Sequence, residues 1–98
     1  MAESAESVVR EVTIAHHEGF HTRPVMTFVD LAQRFDAKVR VVSLNKPDEV
    51  VNGKSAMELM LLGATEGTTL RIEATGRDAH EAVEALVGLV DRCFDIQP

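Results

Sequence analysis

Apolar residues recur along the chain with two periods, which predicts a mixture of helices and strands. From Val25 to Phe35 they follow the i, i+3, i+4, i+7 spacing of an amphipathic helix, predicted over residues 22–35. Residues 11–15 alternate apolar and polar side chains, which is the period of a half-buried strand. The same two patterns predict strands at residues 38–43, 49–51 and 68–74 and helices at residues 55–62 and 78–94.

The predicted element order is β-α-β-β-α-β-α, without repeats or linkers. Because each predicted strand has one apolar face, helices are expected to cover only one side of the sheet. The pattern therefore predicts a two-layer α+β sandwich and leaves the strand order open. Residues 1–98 are expected to form a single domain, in which residues 1–8 are a loose N-terminal tail.

Charge and composition narrow the range of partners and compartments. The chain has a formal net charge of −6, which argues against nucleic-acid or membrane binding. Cys93 is the one cysteine, so an internal disulfide is excluded and a reducing compartment is favoured. The N-terminal residues lack the pattern of a signal peptide, and no apolar run approaches the roughly 20 residues that span a bilayer. A cytoplasmic monomer is the expectation.

Candidate chemistry is concentrated in one short segment, Gly19-Phe20-His21-Thr22-Arg23-Pro24. Pro24 suits the first turn of a helix, where its missing N–H costs nothing, so His21 is predicted to lie at the helix start. Unpaired amides and the positive end of the helix dipole form an anion site there. Arg23 adds a guanidinium that can hold phosphate through two hydrogen bonds. Together these groups suit a histidine that carries phosphate.

Each residue of this segment also has a plainer interpretation. His21 could be a capping or surface histidine, and Arg23 could be a solvated arginine of the first turn. Thr22 could be an ordinary helix cap rather than a residue that orders phosphate. Pro24 is structural under either interpretation.

A second candidate segment, Ser55-Ala56-Met57-Glu58, has the form of a capping box. The Ser55 hydroxyl is predicted to accept a hydrogen bond from a first-turn amide while the Glu58 carboxylate reaches back. Exposed adaptable side chains near the site would suit docking to several partners, with core packing as the alternative. These docking candidates are Met26, Met57, Met60 and Leu61, whereas Leu59 and Leu62 are better explained as core.

Three histidines, His16, His17 and His21, raise the possibility of a metal site. However, adjacent histidines at a strand end are expected to point in opposite directions, and no cysteine or carboxylate spacing completes a ligand set. No metal and no other cofactor is expected.

The segment from Gly19 to Pro24 resembles the phosphorylation motif of the HPr family, the histidine phosphocarriers of the bacterial phosphoenolpyruvate-dependent phosphotransferase system. That family uses a Gly-apolar-His-Ala/Thr-Arg-Pro segment, which residues 19–24 match throughout. Asn52-Gly53-Lys54-Ser55 is similar to the family's second segment, a Lys-Ser before a short apolar helix. The likeness runs from about Glu11 to Val90. It implies an open-faced sandwich, with a four-stranded antiparallel sheet ordered 1-4-2-3 and three helices on one face.

The resemblance also implies roles for the candidate residues. His21 would take phosphate on Nδ1 from a phosphohistidine of Enzyme I and pass it to a histidine of an enzyme IIA-type acceptor in sugar uptake. Ser55 matches a serine that a kinase/phosphorylase modifies in many HPr proteins of Gram-positive type. A helix N-cap without regulation is the alternative for Ser55.

Departures from the family pattern bear on docking. Glu18 replaces a small polar residue before the glycine of the motif, and its carboxylate would repel phosphate unless it points away. Asp30 and Glu58 occupy helix surfaces where the family commonly carries lysines, so attraction to acidic partners would be weaker.

Three functions are compatible with these observations. The first is a phosphocarrier, which relays phosphate without turning over a small molecule as an enzyme does. The second is a regulatory relative of HPr that controls nitrogen or carbon use through phosphorylation-dependent protein binding. The third is a small α/β binding domain with neither activity.

Overall fold

The computed structural model describes residues 6–96, which form one sheet and three helices. The strands are β1 (Ser7–Thr13), β2 (Lys38–Ser43), β3 (Val50–Asn52) and β4 (Thr69–Thr75), and the helices are α1 (Thr22–Ala32), α2 (Ala56–Leu62) and α3 (Ala79–Asp91). The sheet is antiparallel with the order β1-β4-β2-β3. The predicted fold class and strand order are confirmed.

The core lies between one face of the sheet and the helices. Val41, Leu70 and Ile72 are completely buried on that face. Helix α3 packs on β1 and β4, and α1 packs against both α3 and α2. No helix within residues 6–96 is long and apolar enough to cross a bilayer.

Strand β1 begins earlier than the apolar alternation predicts. Ser7 pairs with Thr75 and Val8 with Ala74, so both residues lie in the sheet and not in the predicted tail. The Ser7 hydroxyl also donates to a carboxylate oxygen of Glu73 at 3.0 Å. Pairing with β4 therefore keeps Ser7 and Val8 in a strand, although their side chains do not continue the alternating pattern that predicts one. The rest of the predicted tail, residues 1–5, lies outside the described part of the chain.

Helix α1 ends at Ala32, three residues before the predicted end. Beyond it, the Arg34 amide donates to the carbonyl of Leu31 at 3.0 Å and the Phe35 amide to that of Ala32 at 3.2 Å. These bonds span three residues rather than four, so the last part of the predicted helix is a tightened turn.

Helix α3 also stops short of its predicted end at Phe94. Three consecutive residues, Cys93–Asp95, have φ values of 56°, 61° and 57°, in the left-handed region. This turn brings Phe94 back to the core, where it is fully buried and lies 5.8 Å from the ring of Phe20. A bidentate ion pair closes the turn, with the Arg92 guanidinium donating to Asp95 at 2.9 and 3.3 Å.

The start of α3 is tied to the connection between α1 and β2. Asp78 precedes α3 but its carboxylate makes no capping bond to that helix. It accepts instead from the backbone amides of Asp36 at 2.9 Å and Ala37 at 2.8 Å. The hydrogen bond from the Asp36 amide is the main cause that lowers the pKa of Asp78 below its ordinary value.

Candidate functional site

His21 is the residue immediately before the first turn of α1. Its backbone is extended, with φ −90° and ψ −178°, and its carbonyl accepts the Val25 amide at 2.9 Å. Its side chain makes no capping hydrogen bond and is exposed. The predicted placement of His21 at the helix start is confirmed, and its imidazole is accessible to another protein.

The first turn of α1 supplies a cation and two amides. Thr22 and Arg23 are exposed at the first two helical positions, and no acidic residue occupies this turn. In this turn the amides of Thr22 and Arg23 lack an intrahelical acceptor, because Pro24 has no N–H and the Val25 amide already binds His21. Within residues 6–96, the first turn therefore contributes two members to the predicted row of free amides. Pro24 itself is buried.

Gly19 and Phe20 fix the position of the loop that precedes His21. Gly19 has a φ of +62°, and a Cβ there would lie 2.6 Å from the carbonyl oxygen of Ala64. The Phe20 amide donates to that same oxygen at 2.9 Å. The Phe20 ring is buried edge-to-face against Phe28, with centroids 5.5 Å apart. Because Phe20 points inward, the next side chain, His21, is directed outward.

His16 and His17 do not point in opposite directions as expected. They lie in the loop after β1, where their rings stack 4.8 Å apart at an interplanar angle of 18°. His16 is buried and His17 is exposed. Within residues 6–96 no group of three or more histidine, cysteine or acidic side chains is arranged to hold a metal ion. The burial of His16 was not predicted, because a single histidine in a loop has no periodic pattern.

Ser55 caps α2 but does not form the reciprocal capping box. Its hydroxyl accepts from the Glu58 amide at 3.2 Å, as predicted. The Glu58 carboxylate accepts from the Asn52 amide at 2.9 Å, whereas the Ser55 amide donates to the Asn52 carbonyl at 3.1 Å. Glu58 therefore secures the turn before α2, and Ser55 alone caps the helix.

Exposed apolar side chains are found on α1, which follows His21, and on α2, which follows Ser55. The exposed fractions are 45% for Met26, 73% for Met57, 45% for Met60 and 74% for Leu61. Leu59 and Leu62 are buried, as predicted. Asp30 on α1 and Glu58 on α2 are exposed as well, so carboxylates accompany the apolar side chains on these helices.

Comparison with known proteins gives consistent matches over most of the chain. A family model described as the PTS HPr component phosphorylation site matches residues 8–92. The phosphocarrier protein HPr of Pseudomonas putida is 40% identical over 86 residues, which cover 88% of this chain and 93% of that protein. A multiphosphoryl transfer protein of Haemophilus influenzae is 39% identical over 80 residues, which cover 82% of this chain but only 16% of that protein.

Solved structures agree with the sequence matches. The crystal structure of HPr-C-His from Thermoanaerobacter tengcongensis aligns with a TM-score of 0.85 and 33% sequence identity, covering 93% of this chain and 99% of that one.

Proposed function

Because this chain belongs to the HPr family of phosphotransferase-system phosphocarriers, we propose that it relays a phosphoryl group on His21 between two proteins. The donor is the phosphohistidine of Enzyme I, and the acceptor is a histidine of an enzyme IIA-type protein in sugar uptake. The observation that carries the proposal is the exposed imidazole of His21 at the start of α1, which makes no capping hydrogen bond.

The transfer step follows from the chemistry of the two imidazoles. A lone pair on Nδ1 of His21 attacks phosphorus, a new P–N bond forms, and the P–N bond to the donor histidine breaks. The donor nitrogen keeps the bonding electrons and its ring takes up a proton, while the phosphorylated ring of His21 releases the proton of its Nε2, so that protons balance over the transfer. Since an imidazolium has no lone pair to offer, His21 must be neutral when it attacks.

The surroundings of His21 suit the charge of the group in transit. Phosphoryl transfer depends mainly on positioning and on stabilising negative oxygens. The Arg23 guanidinium and the two first-turn amides, those of Thr22 and Arg23, supply positive charge and donors beside the histidine. Pro24 orders the turn. Glu18 is exposed in the preceding loop, where its side chain can remain in solvent away from the phosphate.

The proposal also assigns a docking surface, an oligomeric state and a cellular compartment to the protein. Met26, Met57, Met60 and Leu61 form the docking surface for Enzyme I and the acceptor. The protein acts as a cytoplasmic monomer and a single domain, without a cofactor, a membrane or a nucleic acid. It is a substrate of the relay and not itself an enzyme.

Ser55 is proposed as a regulatory phosphorylation site for an HPr kinase/phosphorylase. It is half-buried at the start of α2, and a phosphate there would be tolerated by the positive end of the helix. The added negative charge would lie on the helix that carries Met57 and Leu61, and would weaken the docking of Enzyme I.

Incubation with phosphoenolpyruvate and Enzyme I tests the central proposal. An acid-labile, base-stable phosphate is expected on the wild-type chain and absent from His21→Ala, with unchanged stability. His80→Ala is the matched control, because His80 is also an exposed histidine in the first turn of a helix. Labelling of His21→Ala would place the chemistry elsewhere.

A second stage distinguishes carriage from regulation. Transfer of the label to a sugar-specific enzyme IIA supports the relay in sugar uptake. A stable phosphohistidine that no enzyme IIA discharges would favour the regulatory alternative instead.

A further inference from the structure

A buried histidine lies in the loop that leads to His21. The side chain of His16 is only 3% exposed, stacks on His17 and meets the edge of Phe94 at a centroid distance of 6.1 Å. Its Nδ1 accepts a hydrogen bond from the backbone amide of Glu18 at 3.1 Å. Its Nε2 is buried and has no partner within residues 6–96.

These contacts determine the tautomer of His16. Because Nδ1 accepts a hydrogen bond, the proton of the neutral ring is on Nε2. A buried N–H without an acceptor destabilises a fold, and an apolar side chain of similar size would avoid that cost. Core packing alone therefore does not account for a histidine at this position, whereas the bond to Glu18 does.

The bond from the Glu18 amide gives the loop the geometry of an Asx turn. In such a turn, an Asn or Asp side chain accepts from the amide two residues later. His16 does this with its ring nitrogen, and its carbonyl accepts the next amide, that of Gly19, at 3.0 Å. His16 thus binds two successive amides through the left-handed turn at Gly19.

We infer that His16 is a positioning residue for His21. It acts indirectly, by ordering the turn at residues 16–19 that precedes His21. The Glu18 amide bond holds the chain on the path that places Phe20 in the core and His21 outside at the helix start. The inference rests on the proposed phosphorylation of His21, and it concerns the rate of that step and not its chemistry.

Two substitutions separate positioning from packing. His16→Leu keeps an apolar side chain of comparable size and removes the acceptor. His16→Asn is smaller but retains an oxygen that can accept from the Glu18 amide. We expect His16→Leu to be at least as stable as the wild type, yet to take phosphate from Enzyme I roughly tenfold more slowly at saturation, because misplacement of a reacting group slows transfer. We expect His16→Asn to be less stable, yet within about twofold of the wild-type rate.

The measurements are the saturating rate of His21 phosphorylation, the urea midpoint, and hydrogen exchange of the Glu18 amide by NMR. An unchanged rate in His16→Leu, or rates that simply follow stability in both variants, would overturn the inference. Failure of the wild-type chain to accept phosphate would instead refute the proposed function. In that event, hydrogen exchange of the Glu18 amide still tests whether His16 holds the turn. This amide should be protected in the wild type and in His16→Asn but not in His16→Leu. Equal protection in all three proteins would refute that role of His16.

Discussion

The residues that precede the three helices use their side chains in different ways. The Ser55 hydroxyl caps its own helix by accepting from the Glu58 amide. The Asp78 carboxylate instead accepts from the Asp36 amide, in the connection between α1 and β2. His21 does neither, and its imidazole is exposed at the helix start without a capping hydrogen bond. The side chain that is proposed to react is thus one that does not cap its helix.

Substitution of Ser55 tests its regulatory role at the level of one side chain. Ser55→Asp should slow phosphoryl acceptance from Enzyme I by several-fold, because a permanent negative charge would lie on the proposed docking helix. Ser55→Ala should lower the free energy of unfolding by about 1 kcal/mol through loss of the cap, without slowing acceptance. Initial rates of labelling and urea unfolding measure the two effects. Equal rates for the two variants would remove Ser55 from regulation.

The limits of prediction at single residues are clear from His16 and Phe94. Phe94 follows Val90 by four residues, so its apolar character fits a continued helix as well as the observed left-handed turn. No glycine or asparagine in Cys93–Asp95 signals that turn. His16 is buried against Phe94 from the far end of the chain, a contact that no local pattern contains.

Whole elements were predicted more accurately than their ends. The span of β2 matches its prediction, and α2 begins directly after the predicted cap, because apolar spacing and turn residues agree there. The ends of α1 and α3 depend on tertiary contacts. The strand order β1-β4-β2-β3 came from family resemblance and not from the pattern, since alternation shows which face is buried but not which strands are neighbours.

The bond between Asp78 and the α1–β2 connection predicts an acid-sensitive link between elements. Its carboxylate accepts two amides, so its native pKa lies below the ordinary value of 3.8. This stabilisation is complete well above that ordinary pKa and is lost as the pH falls through the lower native pKa. Asp78→Asn should therefore lower the urea midpoint at pH 7, and the difference from wild type should shrink by pH 3.

Asp48→Asn, in the connection between β2 and β3, controls for the change in net charge. A constant difference between Asp78→Asn and wild type across this pH range would show that the ionised carboxylate is not what holds the connection.

On the scale of the whole molecule, apolar exposure is unevenly distributed. Met57 and Leu61 on α2 are about three-quarters exposed, although the chain is acidic overall. Asp30 on α1 and Glu58 on α2 are also exposed, on helices where the family commonly carries lysines. Docking is therefore expected to depend on burial of apolar side chains more than on attraction between opposite charges.

Leu61→Ser tests this surface, with Val9→Ser as its control. Val9 is 47% exposed on β1, at the opposite end of the sheet from β3 and away from α1 and α2. Leu61→Ser should raise the KM of Enzyme I for this chain by about tenfold through lost apolar burial, and leave thermal stability unchanged. Val9→Ser should change neither. Phosphorylation kinetics at a fixed amount of Enzyme I and varied concentration of this chain measure KM, and an equal effect of both substitutions would place docking elsewhere.

The buried ring of Pro24 has a consequence for how firmly phosphate would be held. A helix that opened without proline would offer a third donor, and loops that bind nucleotides tightly surround the anion with many such groups. Here the first turn offers the amides of Thr22 and Arg23 and one guanidinium, while the proline is buried in the interior. Under the proposed role, weak binding of the phosphoryl group is an advantage, because a group that is bound too tightly would not be transferred to the acceptor protein.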